Sequence, residues 1–308
     1  TLGSINWGAF RNPQEMRKCC RVLVRSLSNL LNYQDFLSIQ SKLANTDFEP
    51  LGVGITNLAY WHARKSFKYG TPEALAEVKR WMEHQAYYLT EASVELAQER
   101  GPCGRSQYTY YGKGVFPWER RKEGVNELTD FTPSMDWEPL RERMKKYGIR
   151  NATLMAVAPV ESSSVVLNST NGIEMPMEMI SVKESKAGSF VQVVPEYKRL
   201  KNRYQLMWDQ KDCVDYLKTS AVLAVYIDQS LSTNTFYNPA NYSGGKVPAT
   251  LIAKNLMLAY KWGLKTIYYS LINKVGAKAD MTNTSSAITL SPVTVYEELD
   301  EDCEACKL

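Results

Sequence analysis

Three short stretches hold residue types able to do chemistry. The first is Pro159-Val160-Glu161-Ser162-Ser163-Ser164. A strand that hands over to a helix there leaves backbone N–H groups and the positive end of the helix dipole facing one spot, which holds a phosphate without Lys or Arg. The serine hydroxyls add donors. Taken alone, a serine-rich helix start is more often a plain cap. The second stretch is Tyr268-Tyr269. Adjacent tyrosines on a strand ordinarily point to opposite faces, one to core and one to solvent. Redox use of the pair needs both phenols close together, hence a twisted or terminating strand. The third is Cys303-Glu304-Ala305-Cys306 in an acidic end. One reading is half of a zinc site, but no second pair or nearby His completes it. The other is a dithiol that exchanges disulfides with partners, aided by access and mobility, although the neighbouring carboxylates disfavour the thiolate.

Other candidates read as structure. Cys19, Cys20, Cys103 and Cys213 are packing cysteines, and His62 and His84 are too isolated to build a triad or a metal site. No carboxylate pair is patterned as a general acid and base. Gly52-x-Gly54 lacks the third glycine of a dinucleotide-binding turn, so close backbone packing accounts for it better. Ser243-Gly244-Gly245-Lys246 lacks the spacing of a phosphate-binding loop.

The elements that must position these groups alternate between helices and short apolar strands, an α/β pattern. Asn12 and Pro13 start a helix whose stripe runs Met16, Cys20, Leu23, Val24, Leu27, Leu31. Thr71 and Pro72 start a long one with Leu75, Val78, Met82, Ala86, Leu89 and Leu96 on its apolar side, stopped by Gly101-Pro102. Another helix is expected from about Asp136 to Tyr147. Ala152–Ala158 reads as a buried strand, and a helix follows within Ser162–Asn168. Further on, a helix from about Asp215 to Gln229, a strand over Ser230–Thr235, a helix from Pro248 to Trp262 and a strand over Lys265–Ser270 are expected. Periodicity ends near Gly276, and residues 297–308 are acidic and polar, the pattern of a mobile tail.

Composition is that of an ordinary globular chain: a net charge of +4 with interspersed signs gives no nucleic-acid stripe, and the basic run Lys198–Arg203 reads as a solvated helix face. No stretch of about 18 apolar residues suggests a membrane span. The start shows no signal-peptide pattern. Thr1 in place of Met implies that something preceded it or was removed. Scattered cysteines suit reduced thiols in a cytoplasm.

Taken together the pieces resemble the class I (aerobic) ribonucleotide reductase large subunits along nearly the whole chain. The matching segments are Thr1–Ala9, Leu51–Trp61, Pro159–Glu174, Val193–Tyr197, Ile227–Thr235, Gly245–Pro248, Lys265–Tyr269 and the cysteine-bearing end. The Asn-Ser-Thr-Asn-Gly-Ile-Glu run followed by the Tyr-Tyr pair is the most specific of these. The resemblance implies the C-terminal portion of a ten-stranded α/β barrel over residues 1–276, with a flexible tail over 277–308. It implies reduction of ribonucleoside diphosphates to 2′-deoxyribonucleoside diphosphates by thiyl-radical chemistry. In that family Pro159, Glu161, Ser162 and Ser163 match the cradle of the substrate diphosphate. Tyr268 and Tyr269 match the radical-relay pair, and Cys303 and Cys306 match the shuttle dithiol. Here the two cysteines are separated by two residues, where many relatives have a wider gap.

The family's radical-bearing cysteine, its Asn and Glu companions and both cysteines of the active-site dithiol lie N-terminal to Thr1. The chain is therefore expected to be inactive alone. The implied partners are an N-terminal half of the large subunit, a small radical-generating subunit, thioredoxin or glutaredoxin, and a second large subunit in a dimer. No cofactor is expected on this chain, and a diiron or related metal-radical centre is expected in the small subunit. A gene interrupted as in some bacteriophages (placing the protein in the host cytoplasm), an intein boundary at Thr1, or an incidental fragment would each explain the cut. The alternative from another class is a non-catalytic assembly or redox-binding remnant.

Overall fold

The computed structural model describes residues 1–185 and 188–273. Its centre is a run of parallel strands laid down in chain order. Strand β1 (Leu2–Asn6) pairs with β2 (Gly52–Thr56), Ile5 opposite Ile55. Strand β2 is followed by the extended segment 152–157, to which Leu51 N and Val53 N donate at Thr153 O (3.0 Å) and Leu154 O (2.8 Å). Val157 then bridges in parallel to Leu231. Past that bridge, β5 (Thr235–Tyr237) pairs with β6 (Ser270–Ile272). Each strand thus lies beside its successor, as expected when every crossover carries a helix and keeps one hand.

The helices between the strands are α1 (Met16–Tyr33), α2 (Ile39–Phe48), α3 (Leu58–Lys65), α4 (Pro72–Arg100), α5 (Glu138–Tyr147), α6 (Glu161–Val166), α7 (Tyr197–Leu200), α8 (Val214–Ala224) and α9 (Ala249–Lys261). The expected stripe of α1 is buried at Met16, Cys20, Val24, Leu27 and Leu31, with Leu23 packed partly against the core. Asn12 accepts from Glu15 N, as its place before Pro13 suggests. In α4 the start and stop fall where expected, but Thr71 does not cap by its side chain: its hydroxyl donates to Lys68 O at 3.1 Å. Trp7, Trp61 and Trp81 meet at centroid distances of 5.2–5.4 Å and lock β1, α3 and α4 together. His62, at the core side of α3, stacks on Tyr69.

The two glycines of β2 let it approach segment 152–157. A methyl group at Gly54 would sit 2.7 Å from Ala156 O and 3.1 Å from Val157 Cα. Close backbone packing is therefore the role of this Gly-x-Gly.

Several expected boundaries move. The helix expected to reach Gln229 ends at Ala224, because Asp228 turns inward and accepts from Leu154 N (2.7 Å), Met155 N (3.0 Å) and Tyr111 Oη (2.9 Å). The expected strand 230–235 splits into the bridge at Leu231 and β5, and that over 265–270 begins its ladder only at Ser270. A hairpin with no counterpart in the sequence-based expectations, β3 (Ile180–Ser185) and β4 (Gly188–Val193), runs antiparallel. The basic run 198–203 is mostly exposed, as expected of a solvated face.

Candidate active site

The carboxyl end of segment 152–157 and the residues just before β5 and β6 open onto a cavity of about 550 Å³. Its walls include Pro159 and Glu161 after segment 152–157, Asn171–Glu174, Asn234 after the Leu231 bridge, and Tyr268 and Tyr269 before β6. Strand ends in parallel α/β sheets are where ligands bind, because the loops there are free to vary above a fixed frame. Pro159, Glu161 and both tyrosines are thus brought to one cavity. Ser162 and Ser163 are exposed on the next positions of α6 but stand outside its lining.

At α6 the first backbone bond runs from Ser164 N to Val160 O at 2.8 Å. The amides of Glu161, Ser162 and Ser163 therefore precede the helix's own ladder. Ser164 is buried and its hydroxyl returns to Glu161 O at 2.7 Å, so this serine caps its own turn. Among the described residues no Lys or Arg lines the cavity, so an anion bound here would be met by backbone and hydroxyl donors.

The wall at 168–174 is held from α3. Asn57, with φ 70°, accepts from Thr170 N at 2.9 Å and Thr170 Oγ1 at 3.2 Å through its side chain and donates to Asn6 Oδ1 at 3.0 Å. Its own N–H reaches Thr170 O at 3.1 Å. One Asn thereby ties β1, β2 and the Asn-Ser-Thr-Asn-Gly loop to one another.

Tyr268 and Tyr269 do not alternate. Their ring centroids are 4.1 Å apart, and Tyr269 Oη donates to Tyr268 Oη at 3.4 Å. The reason lies in the pairing. Tyr268 N donates to Thr233 O (2.8 Å), and Thr235 N donates to Tyr269 O (2.9 Å). Both tyrosines thus lie opposite the single residue Asn234, which is a β-bulge, and a bulge turns neighbouring side chains toward one side. The Tyr269 N–H displaced from the ladder is taken by Asn234 Oδ1 at 3.0 Å. The Asn234 amide in turn donates to Glu174, whose carboxyl burial pushes above its usual range, with the Asn234 bond opposing that and Glu161 adding to it. About half of each tyrosine is exposed, so the pair sits at the cavity mouth.

A family model described as the ribonucleotide reductase barrel domain matches residues 1–270. The chain belongs to this family. Its similarity to ribonucleoside-diphosphate reductase alpha subunits is broad. It is 41% identical to that of Buchnera aphidicola (subspecies Baizongia pistaciae) over 87% of the chain, and 38% identical to that of Haemophilus influenzae over the full chain. It is 34% identical to that of Enterobacteria phage T4, again over the full chain. These matches cover only 35%, 39% and 39% of the respective relatives, so the chain corresponds to a part of a reductase alpha subunit. In this barrel-domain chain the described strands apart from the β3–β4 hairpin form one parallel run, with both outer strands, β1 and β6, open on their far sides among the described residues.

Asn57, Asn234 and Glu174 were not singled out among the candidate residues. Asn171–Glu174 and Asn234 fall within the segments carrying the resemblance, but their partners are far off in sequence. Cys303 and Cys306 lie outside the described residues. No helix among the described residues is long and apolar enough to cross a membrane.

Proposed function

We propose that this chain works as the C-terminal part of a class I ribonucleoside-diphosphate reductase large subunit, with the radical-bearing cysteine supplied by a separate N-terminal chain. In this reading residues 1–276 complete the barrel and 277–308 form the tail. Pro159 and the amides of Glu161, Ser162 and Ser163 cradle the substrate diphosphate at the start of α6. Tyr268 and Tyr269 pass oxidising equivalents between the small subunit, whose metal-radical centre generates them, and the active-site cysteine. A phenol that loses an electron at neutral pH must also give up its proton; when the neighbouring tyrosine is the phenoxyl radical being reduced, its oxygen 3.4 Å away takes that proton as the ring takes the electron, so one phenol is restored as the other is oxidised. Cys303 and Cys306 return reducing equivalents from thioredoxin or glutaredoxin to the active-site dithiol. Large subunits act as a dimer, in the cytoplasm of the cell that makes them.

The observation that carries the reading is the Tyr268-Tyr269 pair, rings 4.1 Å apart and tilted by 50°, at the mouth of the cavity that Pro159 and Glu161 line. A non-catalytic remnant has no need of a bulge that holds two phenols in contact. The test is nucleoside-diphosphate reduction by this chain mixed with its candidate N-terminal half, the small subunit and a thioredoxin-type reductant, each omitted in turn. Deoxynucleotide should form only with all components, and Tyr268→Phe or Tyr269→Phe should lower turnover by at least 10³-fold, roughly the 4 kcal/mol of losing an essential step. Halves that co-purify yet make no deoxynucleotide with any reductant would instead support the remnant.

A further inference from the structure

The same strands carry a second cavity, of about 530 Å³, at their amino ends, where Thr153, Asp228 and Lys265 stand. Its character is opposite to the first. Four cations line it, Arg120, Arg121, Lys122 and Lys265, against the single carboxylate of Asp228. That carboxylate is turned away into the core, occupied by Leu154 N, Met155 N and Tyr111 Oη. None of the four cations is in an ion pair among the described residues.

Each is instead fixed by a neutral partner. Lys265 Nζ donates to Asp228 O at 2.7 Å. Lys122 Nζ donates to Tyr260 O at 3.1 Å and lies 3.4 Å from the centre of that ring. The Arg120 guanidinium lies 3.5 Å over the Tyr110 ring, and Arg121 donates to Trp118 O at 3.0 Å. Carbonyls and ring faces orient a cation without cancelling its charge. Burial pulls the Lys265 ammonium below its usual range; Asp228 opposes that, and the charge of Arg120 adds to it. Four oriented like charges around a ligand-sized hollow favour an anion between them. Tyr108 and Tyr110 border the same hollow and are more than half exposed.

We propose that this cavity is a binding site for a small phosphate-bearing polyanion, its charge met by Arg120, Lys122 and Lys265. Tyr108 and Tyr110 take a flat ring where the ligand has one. The site does not depend on the reductase reading, since it shares no residue with the first cavity.

The experiment is titration of the full 308-residue chain with inorganic tripolyphosphate and, separately, adenosine triphosphate, read by calorimetry and by lysine acylation. Saturable binding is expected, with acylation of Lys122 and Lys265 slowed at least fivefold at saturation and that of exposed Lys42 unchanged. Arg120→Ser with Lys265→Met should weaken binding at least 30-fold, while the charge-keeping Lys265→Arg should stay within about threefold. Acylation on the unsubstituted chain decides the matter even where the double variant does not fold. Adenosine triphosphate binding tenfold tighter than tripolyphosphate would assign the tyrosines to a ring, and equal affinity would assign the site to phosphate alone. Absence of saturable binding, or binding that leaves Lys122 and Lys265 unprotected, would overturn the proposal.

Discussion

A buried histidine shows how one residue's chemistry is set by its surroundings. His62 is buried in α3, its ring stacked 4.2 Å from that of Tyr69, and among the described residues neither ring nitrogen has a hydrogen-bond partner. Burial lowers its pKa to about 3 from an ordinary 6.5. The folded state therefore refuses a proton that the unfolded state takes. The stability this represents is present in full above pH 6.5 and is lost as pH falls from 6.5 toward 3. Phe at this position keeps the stack and takes up no proton. His62→Phe should melt within about 1 kcal/mol of the parent at pH 7.5 and gain on it by roughly 2 kcal/mol at pH 5, since each pKa unit corresponds to about 1.4 kcal/mol. Parallel denaturation curves at the two pH values check it; a constant gap between the proteins would show that His62 takes up its proton equally in the folded and unfolded states. From sequence this histidine reads correctly as structural, because isolation from other ligands is visible there. Its stacking partner, seven positions on and past the end of α3, is not.

Elements decide what residue types alone leave open. Helices α1 and α4 were legible because their apolar stripes are long and their ends carry Asn-Pro, Thr-Pro and Gly-Pro signals. The β3–β4 hairpin was legible in principle, since Ile180, Val182 and then Val191, Val193 alternate, but the stretch between them carries little apolar signal. The tyrosine arrangement was not legible. Alternation predicts opposite faces, and the bulge that overrides it is made by Asn234, about 35 positions away in sequence. Asn234→Ala would leave the Tyr269 N–H and the partly buried Glu174 carboxyl without their shared partner, costing about 1–3 kcal/mol of stability. Under the proposed function, turnover of the assembled enzyme should fall more than tenfold while KM for the diphosphate changes less than about threefold, because in that reading the pair conducts and does not bind. A rise in KM with kcat intact would show that Asn234 serves the substrate wall instead. The glycines of β2 make a similar case in packing. Gly54→Ala places its methyl against the backbone at Ala156 and should destabilise by about 2–4 kcal/mol. Gly52→Ala meets the movable end of Leu2 at 2.7 Å and the Ala156 methyl at 3.1 Å and should cost less than half of that in the same urea melts.

At the scale of the whole molecule, one of the exposed apolar regions lies at the start of the chain. Leu2 at the β1 edge is 62% exposed, and Val22, Leu30, Tyr33, Leu37, Ile39, Leu43 and Phe48 on and between α1 and α2 are exposed as well. The β1 edge has β2 on one side and no strand on the other among the described residues. An unpaired edge beside exposed apolar helices is the pattern of a surface built to be covered. In the proposed reading, the strand that continues the run beyond β1 is supplied by the N-terminal half. The proposed reading therefore predicts that the candidate N-terminal half binds along β1, α1 and α2, and that this chain alone binds a hydrophobic dye and melts at a lower temperature. Addition of that half should quench the dye signal and raise the melting temperature by several degrees, in proportion to RT ln(1 + [L]/Kd). Leu2→Lys and Val22→Glu, which add charge at the surface and touch neither cavity, should abolish the rise while leaving the chain's own melt nearly unchanged. A rise that survives both substitutions would place the partner on another face, and the open β1 edge would then need a different occupant.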